Sequence, residues 1–241
     1  MATPVLLHSC CAPCSLAILE WLLVNDYEPT VFYYNPNIYP HEEYLLRKNE
    51  AVRYCKNLGV RFVDADPDHQ MWLERVKGLE NEPERGARCR VCFGVRMQAT
   101  ALMAKELGIR YFTTTLAGSR WKRLEQIREA ALEAAAKVGP EVEYWDRDWK
   151  KGGLQERRSQ LLKEGDFYNQ LWCGCEFSMG HLLERDKSTL PEHVWALLPA
   201  LKVREEERAK ARANAEGAAH AATKDATPKE AAKTGSPSSS S

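Results

Sequence analysis

Residues 5–24 read VLLHSCCAPCSLAILEWLLV, and this stretch decides the class of fold. Its first residues, Val5–His8, are a short apolar run of the kind that forms a buried strand. From Ser15 to Val24, apolar residues recur at spacings of three and four, which predicts a helix. A strand that passes into a helix through one short connection begins a strand–helix–strand unit, so the stretch indicates an α/β protein.

The alternation of strands and helices continues along the chain. Further strand candidates, rich in β-branched and aromatic residues, are Thr30–Tyr34, Arg61–Val63, Tyr111–Thr115 and Val142–Trp145. Further helices are predicted at Glu42–Leu58, Asp68–Lys77, Val91–Leu107 and Arg123–Val138. This order favours a Rossmann-like α/β fold, a mostly parallel sheet with helices on both faces. Ligands of such sheets bind at the carboxyl ends of the strands.

Composition excludes several classes of protein. The chain has 241 residues, of which 44% are hydrophobic, and can bury a core without stabilising disulfides. No run approaches the roughly 18 apolar residues of a membrane-spanning helix. The N-terminus lacks the basic region and apolar length of a secretory signal, so we expect a cytoplasmic protein. Thiols stay reduced there, and eight cysteines therefore indicate metal binding or redox chemistry.

The composition changes after about residue 203. Residues 204–241 contain no aromatic residue and end in a run of serines, so they cannot bury enough apolar area to offset their ordering entropy. We predict an α/β domain over residues 1–203, with a helical segment at 149–198, and a disordered low-complexity tail over 204–241. The first part of the tail has a helix-forming composition.

Seven of the eight cysteines fall into three groups. The group Cys10–Cys14 lies between the first strand and the first helix, where the helix dipole favours thiolates. The pair in Cys89–Cys92 has the spacing of zinc and iron–sulfur ligands. The pair in Cys173–Cys175 suits chelation or a dithiol–disulfide cycle. Cys55, alone on an amphipathic helix, is expected to pack in the core.

The cysteines alone do not identify the metal, because four thiolates suit zinc and iron–sulfur clusters equally. The sequence Cys11-Ala12-Pro13-Cys14 also imitates a thioredoxin-type redox motif, although that fold requires no Cys10. The net charge is zero, yet six basic and two acidic residues lie between Arg147 and Lys163. This local excess indicates a polyanionic partner.

Five segments, LHSCCAPC, FYYNPNIYPHEEYLLRK, EPERGARCRVC, YFTTTL and WCGCEFS, together resemble the QueH type of epoxyqueuosine reductase, the cobalamin-independent enzyme. The resemblance extends from about Val5 to Ser178. It implies a Rossmann-like fold of the nucleotide α-hydrolase (HUP-like) type, in which a cysteine loop replaces the phosphate loop. It also implies the last step of queuosine synthesis, a two-electron deoxygenation of epoxyqueuosine at the wobble position of tRNA.

The resemblance implies a set of cofactors. A [4Fe–4S] cluster would be ligated by Cys10, Cys11, Cys89 and Cys92. Cys173 and Cys175 would form a redox-active pair. The resemblance also implies an additional mononuclear iron, and Cys14, which belongs to neither set, is the candidate ligand for it. Electrons would come from an external donor.

Epoxide reduction also needs stabilisation and protonation of the leaving oxygen. Asp64 and Asp66 follow the third predicted strand, so they are candidate catalytic acids, although a turn or cap role explains them equally well. Candidates to line the substrate pocket follow the second strand and are Tyr34, Asn35, Asn37 and Tyr39, although an Asn-Pro turn explains Asn35-Pro36 equally well.

A tRNA partner fits the basic segments. Residues 119–123 and 145–151 interleave tryptophans with cations, and anticodon loops are bound by base stacking and phosphate contacts. Candidate tRNA-binding residues are Arg120, Lys122, Arg123, Lys150, Lys151, Arg157 and Arg158. Two other functions stay open: a zinc-binding RNA protein without catalysis, and a thiol–disulfide oxidoreductase that uses Cys11 and Cys14.

Overall fold

The computed structural model describes residues 1–65, 68–119 and 121–225. Two predicted site residues, Asp66 and Arg120, lie outside these ranges. The chain divides into a compact unit over Met1–Leu198 and a second unit that begins at Pro199. In the described part of the chain, no helix combines the length and apolar character needed to cross a bilayer.

A five-stranded parallel sheet forms the centre of the first unit, with strand order β3-β2-β1-β4-β5. Its strands are β1 (Thr3–His8), β2 (Tyr27–Tyr33), β3 (Arg61–Asp64), β4 (Tyr111–Thr114) and β5 (Glu143–Tyr144). In β1, Leu6 pairs with Thr30 on one side and with Phe112 on the other. The predicted strands and the Rossmann-like α/β class are confirmed.

Eight helices are present in the described residues. They are α1 (Ala12–Val24), α2 (His41–Leu58), α3 (His69–Val76), α4 (Ala87–Glu106), α5 (Leu124–Val138), α6 (Leu154–Glu164), α7 (Glu192–Trp195) and α8 (Leu198–Asp225). Leu6 packs in a cluster with side chains of α4 and α5, whereas its neighbours Val5 and Leu7 pack with side chains of α1 and α6. Because neighbouring strand residues point to opposite faces, the sheet is covered on both sides.

The segment 149–198 is helical in part. It contains α6, α7 and three short 3-10 turns, with irregular chain between them. Gly152 and Gly153 adopt left-handed backbone angles directly before α6, and Gly174 has φ +103°, so glycines interrupt the helical pattern.

Helix α8 extends through residues where we predict a disordered tail from residue 204. Its Ala, Glu, Lys and Arg content favours a helix even where no core packs against it. Side chains 209–218 are exposed. The helix-forming first part is thus helical, while the domain boundary at residue 203 stays a prediction.

Candidate active site

The first cysteine group lies at the carboxyl end of the central strand. β1 ends at His8 and α1 begins at Ala12, so residues Ser9–Cys14, which we call the cysteine loop, enter the helix at its N-terminus. Pro13 is in the first turn of α1, where its missing N–H breaks no helical hydrogen bond. The sulfurs of Cys10, Cys11 and Cys14 lie within 4.8 Å of one another. Three potential metal ligands therefore converge here.

These three thiols differ in acidity because they share protons. Hydrogen bonds from Cys11 and Cys14 hold the pKa of Cys10 well below its usual range, with help from Arg96 and Thr115. Burial raises the pKa of Cys11 well above its usual range. The hydrogen bond to Cys10 raises the pKa of Cys14 to about 12. One thiolate thus accepts hydrogen bonds from two thiols, and a metal that binds all three would release the remaining protons.

The second group lies on α4. Cys89 is in the first turn of the helix and Cys92 follows one turn later. The backbone N–H of Arg85 donates to Cys89 Sγ at 3.2 Å, while Cys92 is buried. Cys10 and Cys89 both pack against one hydrophobic cluster, which includes Phe93. The loop thiols and the helix thiols therefore border the same part of the core.

The third group is held in a tight bend. Gly174 has φ +103°, and a Cβ at this position would lie 2.8 Å from Ile38 Cγ1. The Gly174 carbonyl accepts a hydrogen bond of 2.9 Å from the N–H of Tyr39. A hydrogen bond from Cys175 lowers the pKa of Cys173 well below its usual range and raises that of Cys175. Cys173 is therefore the more acidic thiol of the pair.

The second and third groups share one cavity, which we call the thiol cavity. Its empty space, counted together with the open solvent at its mouth, is about 490 Å³. Its lining residues are Asn37, Trp72, Glu84, Arg85, Arg88, Cys89, Cys92, Phe93, Arg96, Trp121, Lys122, Cys173 and Cys175. Four of these side chains are basic and one is acidic, so the cavity favours anions and thiolates.

Lys122 connects all three cysteine groups electrostatically. Burial opposes its charge, but the thiolates of Cys173, Cys10 and Cys89 raise the pKa of Lys122 above its ordinary value. Arg96, which is also buried, donates to Asn35 Oδ1 at 2.6 Å and approaches His8 Nε2 at 3.4 Å. The two cations offset the negative charge that deprotonated cysteines bring into the interior.

The sequence analysis missed several of these side chains. Arg88, Cys92 and Arg96 are four residues apart on α4 and all are buried. Residues four positions apart lie on the same face of a helix, so this spacing places both arginines beside Cys92. The spacing is visible in the sequence and could have predicted that these arginines belong to the site. Lys122, which we predict as a tRNA contact, lies in the thiol cavity instead of on an open surface.

The structure does not bring Asp64 to the thiols. Its carboxylate lies 2.5 Å from Lys48 Nζ, and it is not among the cavity-lining residues in the described part of the chain. Of the candidates that follow β2, Asn37 lines the cavity, whereas Asn35 is buried and donates to the carbonyl of Ser9. Tyr39 stacks on His69, with the ring centroids 5.7 Å apart.

Two of the predicted tRNA-binding residues are engaged within the protein. Arg157 makes a two-pronged contact with the Glu20 carboxylate, at 2.7 and 2.9 Å. Arg158 Nε donates to the carbonyl of Pro13 at 2.8 Å. Both contacts join α6 to α1, and the contact with Pro13 lies within the cysteine loop.

Other candidates for RNA contact face the solvent. Trp121 is 63% exposed at the mouth of the thiol cavity, and Arg123 beside it is exposed. Lys151 is exposed and lies 3.9 Å from Asp148, while Lys150 is half-buried.

Cys55 and His8, both buried, have structural roles. Cys55 is buried in the core beside α1, and burial raises its pKa to about 12. His8 is buried, with one ring nitrogen 2.8 Å from Thr114 Oγ1 and the other 3.2 Å from the carbonyl of Tyr34. Burial lowers the pKa of His8 to about 3, so it stays neutral. Core packing of Cys55 is confirmed.

Fold and site together define an α/β protein of the Rossmann-like class, with a cysteine loop at the carboxyl end of its central strand, where such sheets bind ligands. The family model for epoxyqueuosine reductase QueH matches residues 5–181. The chain belongs to the QueH family of epoxyqueuosine reductases. It is therefore an oxidoreductase that reduces epoxyqueuosine to queuosine in tRNA.

Relatives named epoxyqueuosine reductase QueH come from several bacteria. The protein from Acinetobacter baylyi is 45% identical over 178 residues, which are 74% of this chain and 81% of that one. The protein from Histophilus somni is 46% identical over 73% of this chain and 72% of its own length. The protein from Thermotoga maritima is 36% identical over 75% and 91% of the two chains.

Two solved structures show weaker likeness. A predicted subunit of tRNA methyltransferase from Methanocaldococcus jannaschii has 14% identity and a TM-score of 0.46, over 70% of this chain and 93% of that one. The U34-tRNA thiolase NcsA from Methanococcus maripaludis, with its [4Fe–4S] cluster, has 12% identity and a TM-score of 0.42, over 85% and 72%. Likeness at this level does not bear on function.

Proposed function

We propose that the epoxide is reduced in the thiol cavity, beside an iron–sulfur cluster and a redox-active cysteine pair. The observation that carries the proposal is that Cys89, Cys92, Cys173 and Cys175 line one cavity together with Arg96 and Lys122, while Cys10 of the loop group packs against the same core cluster as Cys89. The proposed ligands of the [4Fe–4S] cluster are Cys10, Cys11, Cys89 and Cys92. When bound, the cluster supplies electrons one at a time.

The residues present fit such a cluster. Thiolates are its usual ligands, and the cysteine loop and α4 each provide two of them. Buried Arg96 and half-buried Lys122 offset the negative charge of the ligands. Cys14 is the proposed ligand of an additional iron, because its sulfur lies within 4.8 Å of the sulfurs of Cys10 and Cys11.

The pair Cys173 and Cys175 matches the electron count of the reaction. Converting the epoxide into an alkene consumes two electrons and two protons and releases water. Oxidation of this dithiol to a disulfide releases two electrons and two protons, so one cycle balances one turnover. An external donor of two electrons must then reduce the disulfide again.

The oxygen that leaves the ring needs a hydrogen-bond donor in the cavity. Lys122 is charged, lies in the lining and has three donor hydrogens. We assign it the role of stabilising the negative charge that develops on this oxygen. Asp64, paired with Lys48, is not positioned for this task, and Asp66 lies outside the described residues.

The mouth of the cavity suits an unpaired nucleotide. Trp121 is 63% exposed there and Arg123 is exposed beside it. We propose that Trp121 stacks on an anticodon-loop base, while Arg123, Lys150 and Lys151 contact phosphates. We also propose that the enzyme works in the cytoplasm, where its thiols stay reduced.

The test is anaerobic reconstitution with iron and sulfide, followed by metal analysis, a visible spectrum and assay on tRNA that carries epoxyqueuosine. The proposal expects a coloured iron–sulfur protein that forms queuosine. A colourless protein that retains only zinc would contradict the cluster assignment. Activity without iron that requires Cys11 and Cys14 would instead support a simple thiol–disulfide oxidoreductase.

A further inference from the structure

One amide side chain outside the cysteine groups contacts the cysteine loop. The side-chain nitrogen of Gln170 lies 3.0 Å from Cys11 Sγ and 3.7 Å from Cys14 Sγ. The amide oxygen of Gln170 is buried and has no hydrogen-bond partner within the described ranges. A ligating thiolate accepts hydrogen bonds but cannot donate them, so only the amide nitrogen suits the position next to the sulfurs.

The chain on both sides of Gln170 is anchored. The hydroxyl of Tyr168 donates to Glu43 at 2.8 Å, and its backbone N–H donates to Glu50 at 3.2 Å. On the other side, Arg47 donates to the carbonyl of Trp172 at 3.1 Å. The side chains of Glu43 and Arg47 are fully buried, so they fix the backbone of this segment. The protein's own contacts therefore hold the backbone on both sides of Gln170.

We propose that Gln170 is a positioning residue that donates a hydrogen bond to the metal-ligating sulfur of Cys11 and thereby raises the reduction potential of the cluster. An N–H donor withdraws electron density from a thiolate and stabilises the more negative, reduced form of an iron–sulfur centre. Because Gln170 precedes Cys173 by three residues, one segment carries both this donor and the redox pair. The inference rests on the proposed cluster.

The experiment compares the reconstituted wild-type enzyme with Gln170→Met, which keeps the length of the side chain but removes the N–H donor. Reductive titration, followed by visible absorption and electron paramagnetic resonance, gives the midpoint potential of each protein. We expect a more negative potential for Gln170→Met at unchanged iron content, and a loss of turnover of about 10- to 100-fold. Gln160→Met, on the exposed surface of α6, is the matched control and should keep the wild-type potential.

The outcomes separate the two proposals. If wild-type protein binds no iron–sulfur cluster, the proposed centre is wrong. If both proteins bind the cluster and titrate at the same potential, the role of Gln170 is wrong and the proposed centre stands. A second variant, Gln170→Glu, places a negative charge beside the sulfurs and should lower the potential further than Gln170→Met. An unchanged or higher potential in Gln170→Glu would also overturn the inference.

Discussion

Glu43→Gln is the substitution whose effect the structure specifies most closely. The Glu43 carboxylate is completely buried and accepts hydrogen bonds from Arg47 at 2.6 Å, His193 at 2.6 Å and Tyr168 at 2.8 Å. Glutamine has one acceptor oxygen in place of two and carries no charge. The buried guanidinium of Arg47 would lose its counter-charge, and breaking a buried ion pair in this way costs about 3–5 kcal/mol.

The loss is large enough to measure by urea unfolding. With a slope of about 2–3 kcal/mol per molar urea, a loss of 3 kcal/mol lowers the midpoint by roughly 1–1.5 M. Glu42→Gln is the matched control, because Glu42 is exposed in the first turn of α2 and supplies only a helix-dipole contribution of about 0.3–1 kcal/mol. Equal midpoints for the two variants would refute the idea that Glu43 anchors this region.

The same substitution should affect the redox pair. Arg47 donates to the carbonyl of Trp172, which directly precedes Cys173. A mobile Arg47 releases this segment, so we expect faster alkylation of Cys173 in the apo-protein of Glu43→Gln than in Glu42→Gln. Alkylation is followed by peptide mass spectrometry. Identical rates would show that the anchor does not extend to the cysteine pair.

Three further predictions concern single side chains of the site. Cys89→Ser should lose iron on reconstitution, whereas Cys55→Ala should keep it because Cys55 packs in the core; equal iron contents would contradict the ligand assignment. Trp121→Ala should raise the KM for tRNA by roughly 5- to 150-fold, the equivalent of about 1–3 kcal/mol for one stacked base, with less effect in Trp121→Phe and little change in kcat. Gly174→Ala would place a Cβ 2.8 Å from Ile38 Cγ1, at a backbone angle of φ +103°. It should therefore lower the free energy of unfolding by about 1–3 kcal/mol and reduce turnover. An unfolding curve identical to that of the wild type would show that the bend tolerates a side chain.

The sequence predicts the sheet well because each strand is a local apolar run. Val5–His8 and Tyr111–Thr115 differ from the observed strands by at most two residues at either end. The position of the cysteine loop follows from the same pattern, since it directly joins the first strand to the first helix. These features depend on neighbouring residues only, and periodicity reports such features directly.

Contacts between distant residues were not predictable in the same way. Gln170 reaches Cys11 across 159 positions of the chain, and Glu43 reaches His193 across 150. Asp64 is the last residue of β3, one position beyond the predicted end of that strand, yet its carboxylate contacts Lys48 of α2. The order of the strands in the sheet and the packing of α2 determine these contacts. Predicting which segments are strands and helices specifies neither the strand order nor this packing.

The most direct test is nucleoside mass spectrometry of tRNA after anaerobic incubation with the iron-loaded enzyme. Wild-type and Cys173→Ser proteins would be prepared with equal iron content and assayed with epoxyqueuosine-containing tRNA, without an external donor. The pre-reduced wild-type enzyme should form up to one queuosine per active site, and Cys173→Ser should form none. Equal yields from the two proteins would contradict the proposal that oxidation of this cysteine pair provides the two electrons of the reaction.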